Sequence, residues 1–231
     1  MERRFDLMIL DLDGTLVDSQ DLLVGLVNDV LHRAGYATAQ PAAVAATIGL
    51  PLAEVFRHAL PSGDDAAIEA LCTTYRQRAD HLDFVRQFRL YPAVANTLAA
   101  LHTSGLRLVV GTSKGRATTT DIVQHCGIAE FFDEILGGDS VSRGKPHPEM
   151  VQRAQALFGT PPQRTLMVGD TSFDITMGQA AGVATCAVTY GMHAPAALRA
   201  LQPDFLVADF AGLLGVIHAE RSTEYGVGGE K

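Results

Sequence analysis

The 231-residue chain predicts an α/β fold: a doubly wound parallel sheet interrupted by an inserted α-helical cap. Three observations carry this expectation. Short apolar runs alternate with helical patterns over most of the chain after Tyr91-Pro92. The block between Pro41 and Val85 holds helical patterns and no strand. The residues that directly follow the apolar runs are acidic, hydroxylated or glycine, as expected at the carboxyl edge of a parallel sheet.

The run Leu7 to Leu12, flanked by charges, reads as a buried first strand. Leu22, Leu23, Leu26, Val27, Val30 and Leu31 then fall on one helical face, with Asp18 or Ser19 available as N-cap and Gly35 as stop. The helical block beyond is broken at Gly49-Leu50-Pro51 and at Pro61-Ser62-Gly63. Alternation follows: a helix to about Ser104, a strand from Leu106 to Val110, a helix to about Cys126, and a short strand from Glu134 to Leu136. A helix after Pro148 leads to a strand from Thr165 to Val168, a helix to Ala181, and strands at Ala184 to Val188 and Phe205 to Val207. The domain reading is a catalytic core of residues 1–16 and 89–220, a cap of residues 17–88, and a Gly-rich polar tail of 221–231 that reads as mobile.

With 47% hydrophobic and 19% charged residues, the composition is that of a globular protein. The net charge of −8 and the lack of clustered Lys and Arg argue against a nucleic-acid partner. No apolar run reaches membrane-spanning length, and the N-terminus lacks a secretory pattern, so a cytoplasmic protein without a membrane partner is expected. Cys72, Cys126 and Cys186 are widely spaced among apolar neighbours and read as reduced core residues. His32, His58, His81 and His193 show no ligand spacing and read as surface or cap residues without a role. Nothing in the chain reports its oligomeric state.

The chemistry lies behind the strands. Asp11, Asp13, Asp170 and Asp174 would crowd carboxylates onto one edge, which is costly unless a cation neutralises them. All-oxygen ligands suit Mg2+. Residues two apart in an extended segment point the same way, so Asp11 and Asp13 are expected to face one phosphorus atom. Asp11 would act as nucleophile and Asp13 as general acid and base, with Gly14 letting the chain turn past them. Thr112, the adjoining Ser113 and Lys145 would hold the phosphoryl oxygens.

These residues resemble the haloacid dehalogenase superfamily in its phosphatase branch, and the motif order matches along nearly the whole chain. Its Asp-x-Asp-Gly-Thr motif stands at Asp11 to Thr15, its hydroxyl residue at Thr112, its Lys-Pro at Lys145-Pro146, and its Gly-Asp with a further Asp at Gly169, Asp170 and Asp174. The resemblance implies that Asp13 also offers its main-chain carbonyl to Mg2+, that Asp170 is a direct ligand and that Asp174 acts through water. It further implies a cap of the phosphoglycolate-phosphatase kind closing over a small phosphorylated metabolite: phosphoglycolate, a sugar phosphate or a nucleoside monophosphate. Substrate selection would fall to the cap, around Gly49, Leu50, Pro51, Tyr75 and Arg76.

Other readings compete. Gly111 to Gly115 fits a Gly-x-Ser-x-Gly elbow with Ser113 as the nucleophile of a serine hydrolase, but only one strand precedes it. An EF-hand needs its Gly at the sixth loop position, and a P-loop needs Ser or Thr where Pro146 stands. Asp174 could be a first-turn helix acid, and Ser113 a helix cap. True dehalogenases lack the second acid supplied here by Asp13; a sugar phosphomutase keeps it and stays open, as does a non-catalytic phosphate-binding module.

Overall fold

The computed structural model describes residues 3–218, so the predicted tail at 221–231 lies outside the described residues. In chain order, β1 (Leu7–Leu10) is followed by the two-residue strand β2 (Val17–Asp18) and five helices: α1 (Gln20–Arg33), α2 (Pro41–Ala45), α3 (Leu52–Ala59), α4 (Asp65–Ala79) and α5 (Leu82–Val85). Strand β3 (Arg89–Leu90) then pairs antiparallel with β2, so the helical insertion leaves and rejoins the rest of the chain through a short ribbon. The remainder alternates: α6 (Val94–Thr103), β4 (Arg107–Gly111), α7 (Arg116–His125), β5 (Glu134–Leu136), α8 (Glu149–Phe158), β6 (Thr165–Gly169), α9 (Ser172–Ala180), β7 (Ala184–Val188), α10 (Pro195–Ala200), β8 (Phe205–Val207) and α11 (Leu213–Val216).

The main sheet has six strands in the order β5-β4-β1-β6-β7-β8, every pair parallel. Its first strand is therefore central, and the order reverses between β4 and β6 on either side of it. Alternation along β1 divides the core. Met8 and Leu10 face a layer with Leu98, Leu101, Ile122 and Leu213, while Leu7 and Ile9 face Met150, Val151 and Met177. Both faces are covered, which is why these strands read as continuous apolar runs.

The structure departs from the sequence reading at several element ends. The first strand stops at Leu10 because the Leu12 carbonyl accepts from the amides of Thr15, Leu16 and Val17, folding the chain into a turn. In α1, Val24 is buried and Leu22 is only half-buried, so the packed stripe is rotated slightly from the predicted one. The pair β2–β3 and helix α10 were not anticipated: the strands are too short for periodicity to reveal, and Pro195 opens a helix of only six residues. Cys72 and Cys186 are buried as expected, but Cys126 is half-buried at the end of α7; all three are free thiols. Among the described residues, no helix is long and apolar enough to cross a membrane.

Leu108 is fully buried on β4 beside β1. Leu108→Ala is expected to lower unfolding stability by about 2–5 kcal/mol, measured by urea denaturation. A loss below about 1 kcal/mol would mean that the layer behind β4 is not tightly packed.

Candidate active site

The topology brings the ends of β1, β4 and β6 to one edge of the sheet, where its strand order reverses, the usual place for a ligand crevice in such folds. Asp11 directly follows β1 and anchors its amide on the Val168 carbonyl of β6 at 3.0 Å. The following turn, not an extended segment, carries Asp13 to the same cavity as Asp11, which corrects the geometric reason given from the sequence. Gly14 makes the turn possible with φ +82°, and a Cβ there would come within 2.1 Å of an Asp170 carboxylate oxygen. Thr15 continues the turn and donates its hydroxyl to Asp170 Oδ1 at 2.8 Å.

Lys145 reaches the same point from the loop after β5. Its Nζ lies 2.6 Å from Asp11 Oδ1 and 2.7 Å from Asp174 Oδ1, and the three side chains are almost wholly buried. Asp174 divides its two oxygens between two partners. Its Oδ2 accepts from the amide and hydroxyl of the N-cap residue Thr171, closing a capping box at the start of α9, while Oδ1 faces Lys145. Asp170 has no exposed surface and accepts from the Met192 amide at 2.7 Å as well as from Thr15.

Asp11, Asp170 and Asp174 offer oxygens that lie within 4.8 Å of one another. Burial holds the Asp11 carboxyl well above the ordinary carboxylate range; Lys145 opposes this, and Asp174 and Asp170 add to it. Burial, and then Asp174 beside it, push Asp170 up to about 7. Burial also disfavours the charged form of Lys145, but Asp11 and Asp174 outweigh it and hold the ammonium above its ordinary range. The cluster is thus short of positive charge. Three all-oxygen donors around that deficit fit a hard divalent cation, as the sequence reading required.

Asp13 is held from two sides that the sequence reading missed. Ser19 donates its hydroxyl to Oδ1 at 2.8 Å, and Lys114 Nζ lies 3.3 Å from Oδ2. Ser19 does occupy the N-cap position of α1 but makes no side-chain cap bond, because its hydroxyl is committed to Asp13. Lys114 is nearly buried, stands over the Phe88 ring at 5.4 Å, and is held in its charged form by Asp13 against the effect of burial. A serine six residues after an acid at a helix start was the available signal for the first contact; Lys114 gave none beyond its position after β4.

Thr112 is buried at the end of β4, lines the cavity and accepts the Lys114 amide at 3.2 Å. Ser113 also lines the cavity, but its hydroxyl donates to the Gly49 carbonyl at 2.6 Å, an arrangement unlike a serine nucleophile activated by histidine. Gly49, Leu50, Pro51, Tyr75 and Arg76 all face the same cavity, which encloses about 680 Å³. Gly49, with φ +107°, lets the insertion approach Thr171 and Phe173 closely. His32, His58 and His81 are exposed. His193 belongs to neither predicted group: it lies after β7, accepts the Ser172 amide on Nδ1 at 3.0 Å and places Nε2 3.3 Å from the Ala46 carbonyl of the insertion.

The family model of the haloacid dehalogenase-like hydrolases matches residues 8–188. The chain belongs to that family. Within the haloacid dehalogenase-like hydrolases it is similar to "Probable phosphatase IndB" of Dickeya dadantii, 36% identical over 92% of this chain and 94% of that protein. It is also similar to "Pyrophosphatase PpaX" of Bacillus cereus, 33% identical over 93% of this chain and 97% of that one. Among solved structures, a predicted phosphoglycolate phosphatase from Haemophilus somnus superposes with a TM-score of 0.82 at 29% identity, covering 92% of this chain and 98% of its own. This haloacid dehalogenase-like hydrolase is accordingly an enzyme of the family's phosphatase branch.

The crowding of carboxylates has a measurable cost. Because the folded protein keeps the Asp170 proton up to about pH 7 while an unfolded Asp releases it near 3.8, this residue lowers stability progressively between those values. In Asp170→Asn, the amide oxygen can accept from Met192 and the amide nitrogen can donate to Thr15, whose hydroxyl can turn around. The metal-free variant is expected to melt above wild type at pH 8, with the difference shrinking towards pH 4. Equal melting temperatures at pH 8 would contradict the electrostatic reading.

Proposed function

We propose that the enzyme hydrolyses a phosphate monoester of a small metabolite through an aspartyl-phosphate on Asp11, with Mg2+ as cofactor. The observation that carries this reading is the placement of Asp11. Its buried carboxylate lies at the meeting point of Lys145, Asp170 and Asp174 and opens onto a cavity that also exposes Asp13 and Thr112.

In the first step an Asp11 oxygen attacks phosphorus in line, the bond from phosphorus to the ester oxygen breaks, and Asp13 gives its proton to the departing alcohol. In the second step Asp13 takes a proton from water as that water attacks phosphorus, releasing inorganic phosphate and restoring Asp11. Lys145 orients Asp11 and, with the Thr112 hydroxyl and the amides after β4, holds phosphoryl oxygens where charge resides in the transition state. Asp11, Asp170 and the Asp13 main-chain carbonyl would hold Mg2+, with Asp174 behind a water, and the ion would supply charge neutralisation at the phosphoryl group. Ser19 and Lys114 keep the Asp13 carboxylate aimed into the cavity.

Residues 17–88 act as the cap in this reading, swinging on the β2–β3 ribbon to exclude water during attack and readmit it afterwards. Contacts from Ser113 to Gly49 and from Thr118 to Asp80 join the two parts in the closed arrangement. The three free thiols suit a reducing, cytoplasmic setting. Phosphoglycolate, sugar phosphates and nucleoside monophosphates form the first substrate panel; pyrophosphate joins it because of the relative PpaX.

Three outcomes are expected with p-nitrophenyl phosphate or an active panel member. Asp11→Asn abolishes turnover while Ser113→Ala keeps it within a few-fold; the reverse pattern would move the nucleophile to Ser113. Asp13→Asn lowers kcat by roughly 10²–10⁴-fold, most severely for esters with poor leaving groups. Excess EDTA stops turnover and added Mg2+ restores it; activity undiminished in EDTA would remove the cation from the account.

A further inference from the structure

The cavity over Asp11 and Asp13 joins a polar floor to a wall that is mainly apolar. On the side of the insertion its wall is formed by Leu23 and Val27 of α1, Val55 of α3, and Ile48 and Leu50 of the loop before α3. Leu23, Val27 and Val55 have 3%, 2% and 5% exposure, so this wall sits deep in the molecule. The adjoining Tyr75 is packed edge-on against Phe56 with ring centroids 6.0 Å apart.

The charged lining groups nearest the wall already have partners. Lys114 is paired with Asp13, Arg76 lies 3.6 Å from Glu69 and is more than half exposed, and Asp80 accepts the Thr118 hydroxyl. A polyol pressed against this wall would leave hydroxyls without water or partner, a penalty that strongly disfavours it. A second phosphate would need a cation that is not already engaged. The space of about 680 Å³ is also several times larger than a two-carbon acid phosphate requires.

Building on the phosphatase reading above, we infer that the preferred substrate is a phosphate monoester whose alcohol carries an apolar body. Branched alkyl, cyclic alkyl and aryl groups are the chemical classes that fit. The phosphoryl group sits at Asp11, and the apolar body fills the space against Leu50, Leu52 and Ala53, behind which Leu23, Val27 and Val55 are packed, releasing water from that surface. Such a pocket gains discrimination of about 10–200-fold per well-placed methylene.

The test compares kcat/KM of the full-length protein with Mg2+ for cyclohexylmethyl phosphate and glucose 6-phosphate. Both are primary esters on a six-membered ring and differ in hydroxylation; 2-phosphoglycolate and pyrophosphate complete the set. The expected result is a preference of at least about tenfold for cyclohexylmethyl phosphate over each of the others. In the near-isosteric variant Val55→Thr, the gap to glucose 6-phosphate narrows several-fold. Equal or better turnover of a polar substrate overturns this inference and leaves the phosphatase reading standing. A gap unmoved by Val55→Thr overturns the assignment of the wall. Failure to hydrolyse any of these esters, or p-nitrophenyl phosphate, overturns both readings.

Discussion

The ion pairs of Lys145 with Asp11 and Asp174 are the constraint around which the rest of the molecule is arranged. A lysine with no exposed side chain is tolerated only when its charge is matched, and here two carboxylates, one just after β1 and one in the first turn of α9, supply the match. Those carboxylates can meet because β1 and β6 are adjacent and parallel, so that Asp11 and the start of α9 emerge side by side. The fold thus accomplishes one electrostatic task at its centre: it collects acids that repel one another and holds them by burial, one ammonium and backbone donors.

That arrangement is costly by design. Asp170 is pushed up to about 7 by burial and by Asp174, and Asp11 is raised as well, so the protein without a cation stores repulsion at its catalytic edge. Hydrogen bonds from Thr15, Met192 and Thr171 hold the acids in place despite it. Gly14 completes the packing, because any side chain there would occupy the space of the Asp170 carboxylate. A site preorganised in this way is complementary to a divalent ion and a phosphoryl group before either arrives.

Much of this was legible in the sequence. Asp11, Thr112 and Asp170 directly follow strands, Asp13 and Asp174 come within a few residues of them, and a parallel sheet with one ligand-binding edge brings these together; Lys145 reaches them from the longer loop after β5. What stayed hidden was of two kinds. The turn after Leu10 and the β2–β3 ribbon are made by a few backbone hydrogen bonds that leave no periodicity. The grip of Ser19 and Lys114 on Asp13 depends on how α1 and the loop after β4 enter the cavity, a tertiary matter that local spacing cannot report. Asp174 illustrates the remaining difficulty: a first-turn helix acid and a site acid look alike in sequence, and here one oxygen caps α9 while the other meets Lys145.

The insertion covers the acids with a mainly apolar wall and meets the rest of the chain at Gly49 and Ala46. In the reading proposed above, chemistry and selection fall to different surfaces of one cavity, and both would depend on a phosphoryl group becoming attached to the carboxylate at its floor. Rapid acid quench during turnover, followed by peptide mass spectrometry, tests this directly. The account predicts a phosphoryl adduct on the peptide that carries Asp11, absent from Asp11→Asn; an adduct elsewhere, or none under conditions that accumulate the intermediate in Asp13→Asn, would contradict it.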